Sequence, residues 1–210
     1  MTLDKHAVQF FERQFRQQAA AGEYALNPFE QAALPHLTGE VLDLGCGLGN
    51  LALAAARQGC RVTALDGSPS AIARLQAEAT AQGLDLTAQL ADLAHYAIGR
   101  DYDAIVSIGL LMFLPEAQAR ALLDAIHDRV KPGGLVALNV LTEGTSYLAM
   151  FEPGHYYLFA RGELARRFAA WEILLDRHER FPAPGATVKA FDTLIARRPA
   201  ASGATGAGPA

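Results

Sequence analysis

The segment that most constrains this chain is a short apolar stretch followed by three glycines at alternate positions. It reads VLDLGCGLGN over residues 41–50, with Gly45, Gly47 and Gly49 directly after the apolar part. Glycines after a buried parallel strand permit a tight turn and let a ligand approach the backbone closely, and the helix that follows offers its positive N-terminal end. The pattern therefore favours a nucleotide-like ligand at the end of this strand.

Three acidic residues strengthen this interpretation. Asp43 lies inside the first predicted strand, where an isolated buried carboxylate is costly unless it has a partner. Asp66 ends the next predicted strand, where an acceptor for vicinal ribose hydroxyls is expected, and Asp92 ends the third. The glycines form G-x-G-x-G followed by Asn50, which departs from the G-x-G-x-x-G fingerprint of NAD-binding proteins. A glycine turn needed only for packing, and acids that only cap strand ends, remain the alternatives.

The rest of the chain alternates short β-rich runs with helical patterns. Candidate strands cover residues 41–44, 61–66, 86–92, 102–109 and 135–141. Helices are predicted between them, and two more precede the glycine stretch, over residues 5–20 and from Asn27-Pro28. Such alternation indicates a parallel sheet covered by helices on both faces. Residues 172–181 and 187–198 read as a terminal antiparallel hairpin.

The domain organisation follows from the changes in pattern along the chain. We expect an N-terminal helical segment that covers the active site (residues 1–39) and one catalytic domain (residues 40–198). A long, aromatic-rich stretch over residues 142–160 is predicted to be a lid loop. Residues 199–210 are small and flexible, and we predict a disordered tail.

Composition excludes several classes of protein. The 18 Lys and Arg against 22 Asp and Glu give a net charge of −4, and without a basic run we expect no nucleic-acid partner. With no apolar leader and no run of about 20 apolar residues, we expect a cytoplasmic protein without a membrane partner. Cys46 and Cys60 have no further ligand at metal-like spacing, so no metal is expected. We expect a monomer or homodimer acting on a small molecule.

Five motifs in order resemble those of the class I S-adenosylmethionine-dependent methyltransferases. They are VLDLGCGLGN, the acid in VTALDGS, the acid in LADL, the strand DYDAIVSIG and the KPGG turn, spread over residues 40–141. The resemblance implies an α/β fold with a Rossmann-like, doubly wound sheet of about seven strands, mostly parallel with an antiparallel terminal hairpin. It also implies S-adenosyl-L-methionine as the cofactor.

The same resemblance assigns the cofactor-binding residues. The glycine loop would cradle the methionine and ribose portions, and the residues after the fourth strand would lie beneath the reacting sulfonium. Asp43 would lie near the methionine ammonium, Asp66 would accept the ribose hydroxyls, and Asp92 would border the adenine. The implied set is Asp43, Gly45, Cys46, Gly47, Gly49, Asn50, Asp66, Gly67, Asp92, Leu93, Ser107, Ile108 and Gly109.

Three further segments resemble the tellurite-resistance (TehB-type) methyltransferases. They read DYDAIVSIGLLMFLPEAQ, YLFARGELARRFAAWEI and TVKAFDTLIARR, and with the cofactor motifs they cover most of residues 40–198. That family is thought to methylate chalcogen oxyanions such as tellurite and selenite, and some small thiols. It carries a His-Arg pair near the last hairpin that is proposed to assist the substrate.

His178 matches the histidine of that pair, but Glu179 follows it and Arg180 comes one residue later. Side chains alternate along a strand, so His178 and Arg180 would share one face, opposite Glu179. We predict His178, Arg180 and Tyr157 of the lid as catalytic residues, with a solvent-facing His178 as the alternative.

The expected function is methyl transfer to a small-molecule acceptor, in which the cofactor supplies the activated carbon. Soft or already anionic acceptors need no strong base, which fits a chain without a recognisable catalytic dyad. A chalcogen oxyanion or a thiol is therefore the expected acceptor. An O- or N-methyltransferase of biosynthesis and a non-catalytic S-adenosylmethionine-binding protein remain alternatives.

Overall fold

The computed structural model of the chain describes residues 5–21 and 24–201. The helices are α1 (Lys5–Ala21), α2 (Pro28–Ala33), α3 (Asn50–Arg57), α4 (Pro69–Gln82), α5 (Glu116–Arg129) and α6 (Glu163–Arg167). The strands are β1 (Glu40–Leu44), β2 (Arg61–Asp66), β3 (Leu86–Leu90), β4 (Tyr102–Ile108), β5 (Val130–Leu141), β6 (Glu172–Ala183) and β7 (Thr187–Arg197). Short 3₁₀ turns cover Leu34–His36 and Leu111–Phe113.

The seven strands form one sheet in the order β3-β2-β1-β4-β5-β7-β6. The five strands from β3 to β5 are parallel, and β7 runs antiparallel to both of its neighbours, β5 and β6. The chain fills one side of β1 with β2 and β3 and the other side with β4 and β5, so the topology switches between β1 and β4. The predicted doubly wound α/β sheet with an antiparallel terminal hairpin is confirmed.

Helix starts follow from local capping chemistry. Asn27 forms a capping box, since its side chain accepts from the amide of Glu30 while the Glu30 carboxylate accepts from the amide of Asn27. Ser68 caps α4 by accepting from the amide of Ala71, and Gly83 ends that helix in the left-handed conformation at φ 63°. These caps fix where α2 and α4 begin relative to the sheet edge.

The core lies on both faces of the sheet. On one face α3 and α4 pack their buried residues, among them Leu51 and Leu75, against the strands. On the other face α5 and the α6 region contribute Ile126 and Phe168. Central strands that are buried on both faces are mostly apolar, which explains why β1 and β4 read as nearly continuous hydrophobic runs, interrupted inside by the buried polar residues Asp43 and Ser107.

Two elements differ in length from the prediction. β5 begins at Val130 rather than at residue 135, because the Pro-Gly-Gly segment forms an irregularity within the strand instead of ending it. The register shifts there, so that Tyr102 pairs with Val130 and Ala104 with Leu135. The residue pattern of RGELARRFAAW predicts a helix of eleven residues over 161–171. In the structure α6 has only five, because it begins after the left-handed Gly162 and ends at Arg167, with Phe168 as its C-cap.

The stretch from 142 to 162 contains neither helix nor strand, apart from an isolated bridge between Thr142 and Phe159. Its aromatic residues pack inward, and both Phe151 and Phe159 are buried. The division into an N-terminal cover, a catalytic domain and a lid stays a prediction. Of the predicted tail, residues 202–210 lie outside the described residues. None of the helices in the described ranges combines the length and apolar character that a membrane crossing needs.

Candidate active site

A cavity of about 580 Å³ opens at the carboxyl edge of the parallel strands. It is lined by the ends of β1, β2, β4, β5 and β7 and by side chains of α1 and α2. In open α/β sheets, ligands bind in this crevice next to the point where the strand order reverses. The cavity therefore lies where the topology alone places a binding site.

The glycine loop forms one wall of this cavity. Gly45, Gly47 and Gly49 all adopt positive φ, at 76°, 53° and 76°, a region that other residues rarely enter. A Cβ atom on Gly47 would come within 3.0 Å of the Phe15 ring, and one on Gly49 would overlap the side chain of Leu75. Larger residues at these positions would therefore strain the loop and displace the elements packed against it.

Asp66 holds this loop in place from the end of β2. Its Oδ2 accepts from the amide of Gly47 at 2.8 Å, and its Oδ1 accepts from the amide of Ser68 at 2.8 Å. Burial raises the pKa of the Asp66 carboxyl above its ordinary value, despite these backbone hydrogen bonds. Asp66 lines the cavity, and each of its carboxylate oxygens can accept a further hydrogen bond, which fits an acceptor for ligand hydroxyls.

Asp43 is the most unusual group in the site. The residue is 5% exposed, and no hydrogen bond from another described residue reaches its carboxylate. Burial, with the nearby acids Glu30 and Asp66, raises the pKa of Asp43 to about 8. All three acids line the cavity, so this end fits a ligand with a positively charged group. S-adenosylmethionine has the ammonium, sulfonium and ribose diol that these residues can bind.

The structure brings together most of the predicted cofactor residues. Those that line the cavity are Asp43, Gly45, Cys46, Gly47, Asn50, Asp66, Gly67, Leu93, Ile108 and Gly109. The other three are not among the lining residues. Gly49 precedes α3, Asp92 accepts from the amide of Ala94, and the hydroxyl of the fully buried Ser107 has no hydrogen-bond partner among the described residues. Their binding roles stay predictions.

None of the three predicted catalytic side chains belongs to the described cavity lining. His178 Nδ1 lies 2.7 Å from Asp192 Oδ1, and Asp192 also accepts from the amide of Gly162. The register pairs Glu179 with Phe191, which lines the cavity, so alternation places His178 and Arg180 on the opposite face of the hairpin.

Tyr157 is held outside the cavity by polar partners. Its hydroxyl donates to Glu163 Oε2 at 2.9 Å and accepts from Arg120 at 2.5 Å. Burial and the Glu163 carboxylate raise the pKa of Tyr157 to about 12. The catalytic assignment of Tyr157, like that of His178 and Arg180, stays a prediction without support from this geometry.

Helix α1 covers the cavity through aromatic side chains. Phe10, Phe11 and Phe15 all line it, and the Phe11 ring lies 4.9 Å from that of Phe113. The spacing of the α1 aromatics predicts an amphipathic helix within the predicted cover of residues 1–39, but the sequence does not identify which residues its apolar face contacts. The Gly47 contact of Phe15 places that face over the glycine loop.

A carboxylate fastens α1 to the start of α4. Glu12 Oε1 accepts from the hydroxyl of Ser68 at 2.5 Å, and Glu12 Oε2 accepts from the hydroxyl of Ser70 at 2.8 Å. The hydrogen bond from Ser68 is the main reason that the pKa of Glu12 is lowered. Because Ser68 follows Asp66 closely in the chain, this attachment lies next to the acidic end of the cavity.

The sequence did not predict the residues that line the end of the cavity away from Asp43. The lining of this end includes Met112, Phe113, Met150, Lys189 and Phe191. All of these except Met150 lie in segments that resemble the TehB-type family, but none was predicted as a site residue. The side chains from β7 face the cavity because of the antiparallel register, which sequence alone does not determine. Among the described residues, no cluster of three or more His, Cys, Asp or Glu side chains is arranged to hold a metal ion.

Comparison with known proteins supports the interpretation of this cavity as a cofactor site. A family described as a methyltransferase domain matches residues 41–134. A probable S-adenosyl-L-methionine-dependent methyltransferase TehB of Haemophilus influenzae (strain 10810) is 29% identical over 64% of this chain and 46% of its own length. The crystal structure of TehB from Haemophilus influenzae has the same fold, with a TM-score of 0.73 at 24% identity over 86% of this chain and 65% of that one. Residues 41–134 of the chain therefore match a methyltransferase domain, and in sequence and fold the chain resembles the class I S-adenosylmethionine-dependent methyltransferases.

A further relative shares more of its length with this chain. The carboxy-S-adenosyl-L-methionine synthase of Geobacter metallireducens is 33% identical over 68% of this chain and 66% of its own length. The chain therefore spans between about half and two thirds of the length of these curated relatives. The glycine loop and both acids, Asp43 and Asp66, fall within the part that the family matches.

Proposed function

We propose that this protein transfers a methyl group from S-adenosylmethionine to a small-molecule acceptor with a soft nucleophile, a thiol or a chalcogen oxyanion. The observation that carries the proposal is Asp43, a buried carboxylate without a hydrogen-bond donor beside a glycine loop that Asp66 holds open. A cationic nucleoside ligand would supply the positive charge and the hydrogen-bond donors that the buried Asp43 carboxylate lacks.

The chain's own residues would bind and align the reactants. The Gly45–Gly49 backbone and Asp66 would fix the ribose, while Asp43 would neutralise the ammonium. When bound, S-adenosylmethionine supplies an activated methyl carbon for in-line displacement. The aromatic side chains of α1 would exclude water from the reacting atoms, which is the role we propose for the N-terminal segment.

The lining residues favour an acceptor that needs little help with proton removal. The described lining contains no histidine, and its three carboxylates lie at the cofactor end. Burial, together with the charges of Asp43 and Asp66, raises the pKa of the Cys46 thiol well above its ordinary value, so Cys46 is a poor nucleophile. A thiol or an anionic acceptor reacts without a strong base.

Binding and turnover test the proposal separately. Calorimetry with S-adenosylmethionine and NAD should show binding of the first alone. Incubation with S-adenosylmethionine and a panel of thiols, selenite, tellurite, phenols and amines should then release S-adenosylhomocysteine, with the thiol or oxyanion fastest. Preference for a phenol or amine would indicate an O- or N-methyltransferase. Tight cofactor binding without release of product from any acceptor would indicate a non-catalytic binding protein.

A further inference from the structure

The cavity has two ends of opposite chemistry. The cofactor end contains its three acids, Asp43, Asp66 and Glu30. The other end, which we call the acceptor end, is formed by apolar side chains with one lysine. Its residues are Met112, Phe113, Leu141, Met150, Lys189 and Phe191.

The sheet order sets the distance between the two ends. Asp43 lies in β1 and Lys189 in β7, with β4 and β5 between them. At a spacing of about 4.8 Å per strand, three steps across the sheet separate the two side chains by about 14 Å. The lysine is therefore too far from Asp43 for an ion pair, and a cofactor bound over β1 and β4 would lie between them.

Lys189 is the only basic side chain in the described lining of the cavity. Its Nζ lies 4.9 Å from the centre of the Tyr147 ring, and within the described ranges no carboxylate or hydrogen-bond acceptor pairs with it. The residue is half-buried, and burial lowers the pKa of its ammonium group. Buried lysines are normally paired, so an ammonium that faces the cavity without a carboxylate bound to it is suited to an anionic ligand.

The walls around Lys189 limit what that anion can be. Met112 and Phe113 are buried next to Met150, and Phe191 lies on the same face of β7 as Lys189. A small hydrated oxyanion would leave these apolar walls in contact with water, whereas an organic molecule would cover them. The single positive charge matches one anionic group on such a molecule.

We propose that Lys189 binds an anionic group of the methyl acceptor, so that the preferred acceptor is an organic molecule with an apolar body and one negative charge. This inference rests on the proposed function and selects the organic thiol over the chalcogen oxyanion. Lys189 acts here as a specificity-determining residue, and the cofactor end does not depend on it.

The test measures binding rather than turnover. The protein loaded with S-adenosylhomocysteine is titrated with 4-(mercaptomethyl)benzoate, with benzyl mercaptan and with selenite. The two thiols share the ring and the sulfur and differ only in the carboxylate. We expect the carboxylate-bearing thiol to bind at least about tenfold more tightly than benzyl mercaptan, because a charge-assisted hydrogen bond has that effect.

Substitutions assign that preference to Lys189. Lys189→Met should abolish the difference in affinity between the two thiols, and Lys189→Arg should retain most of that difference. Arg57→Met removes the same charge from an exposed position of α3 and should leave all affinities unchanged. The affinity for S-adenosylhomocysteine should be the same in all four proteins.

Any of these results would overturn the inference: equal binding of the two thiols, a preference that survives Lys189→Met, or tighter binding of selenite than of either thiol. Failure of both thiols to bind would also overturn it. In each case the binding of S-adenosylhomocysteine would leave the proposed function standing. Failure of S-adenosylhomocysteine itself to bind would instead remove the proposed function, and this inference with it.

Discussion

Cofactor binding should release a proton from Asp43. With a pKa of about 8, this carboxyl is about nine-tenths protonated at pH 7 and about one-tenth protonated at pH 9. A positively charged ligand group favours the carboxylate, so binding should lower the pKa toward its ordinary range. We therefore expect about 0.9 proton to be released per bound cofactor at pH 7, and about 0.1 at pH 9.

The same coupling between cofactor binding and proton release predicts how the affinity for the cofactor depends on pH. Because the ligand binds the deprotonated form, affinity falls as pH drops through the pKa of free Asp43 near 8. Between pH 9 and pH 6 this group alone should weaken binding roughly a hundredfold, from the ratio of its deprotonated fractions.

Calorimetry in two buffers with different ionisation enthalpies measures the number of protons released. Asp43→Asn keeps the shape of the side chain but cannot titrate, and Glu30 and Asp66 are unchanged in it, so the difference between the two proteins isolates Asp43. Equal proton release by the wild type and by Asp43→Asn at pH 7 would refute the reasoning.

Four further predictions concern the site and its supports. Asp66→Ala should weaken S-adenosylmethionine binding by about 2 kcal/mol through lost charge-assisted hydrogen bonds, and an unchanged calorimetric affinity would contradict the ribose placement. Glu12→Ala should release α1 from α4 and speed its amide hydrogen exchange about tenfold, while unchanged exchange would show that the helix is held by packing alone. Gly47→Ala and Gly83→Ala should both lower the unfolding free energy by about 1 kcal/mol, because both positions have positive φ, but only Gly47→Ala should also reduce cofactor affinity. His178→Ala should lower the unfolding free energy by about 1–3 kcal/mol and leave kcat/KM within about twofold, and a large loss of kcat with unchanged stability would restore its catalytic role.

Features set by local sequence were predictable. The glycine turn after β1, the capping residues Asn27 and Ser68 and the alternation of strands with helices depend on neighbours a few residues away. Asp43 and Asp66 were predictable as well, because a parallel sheet brings the carboxyl ends of adjacent strands to one edge. The fold and most of the cofactor end followed from these rules.

Features set by long-range packing were not predictable from the sequence. Alternation correctly placed His178 and Arg180 on one face, but which face meets the cavity depends on how β6 pairs with β7 and how the hairpin joins β5. The position of Lys189 depends on the same antiparallel register. The contact of Phe15 with Gly47 requires a helix far from the sheet in sequence to fold back across it, and no local pattern specifies that return.

The aromatic residues of α1 link the two ends of the cavity mechanically. Phe11 and Phe15 are four residues apart, their rings stack at 5.6 Å, and they meet Phe113 on one side and Gly47 on the other. Since a helix rises about 6 Å over four residues, a single turn of α1 spans from the glycine loop to Phe113. Rotation or lifting of that turn would open both ends of the cavity at once, so under the proposed function we expect the entry of the two reactants to be coupled through α1.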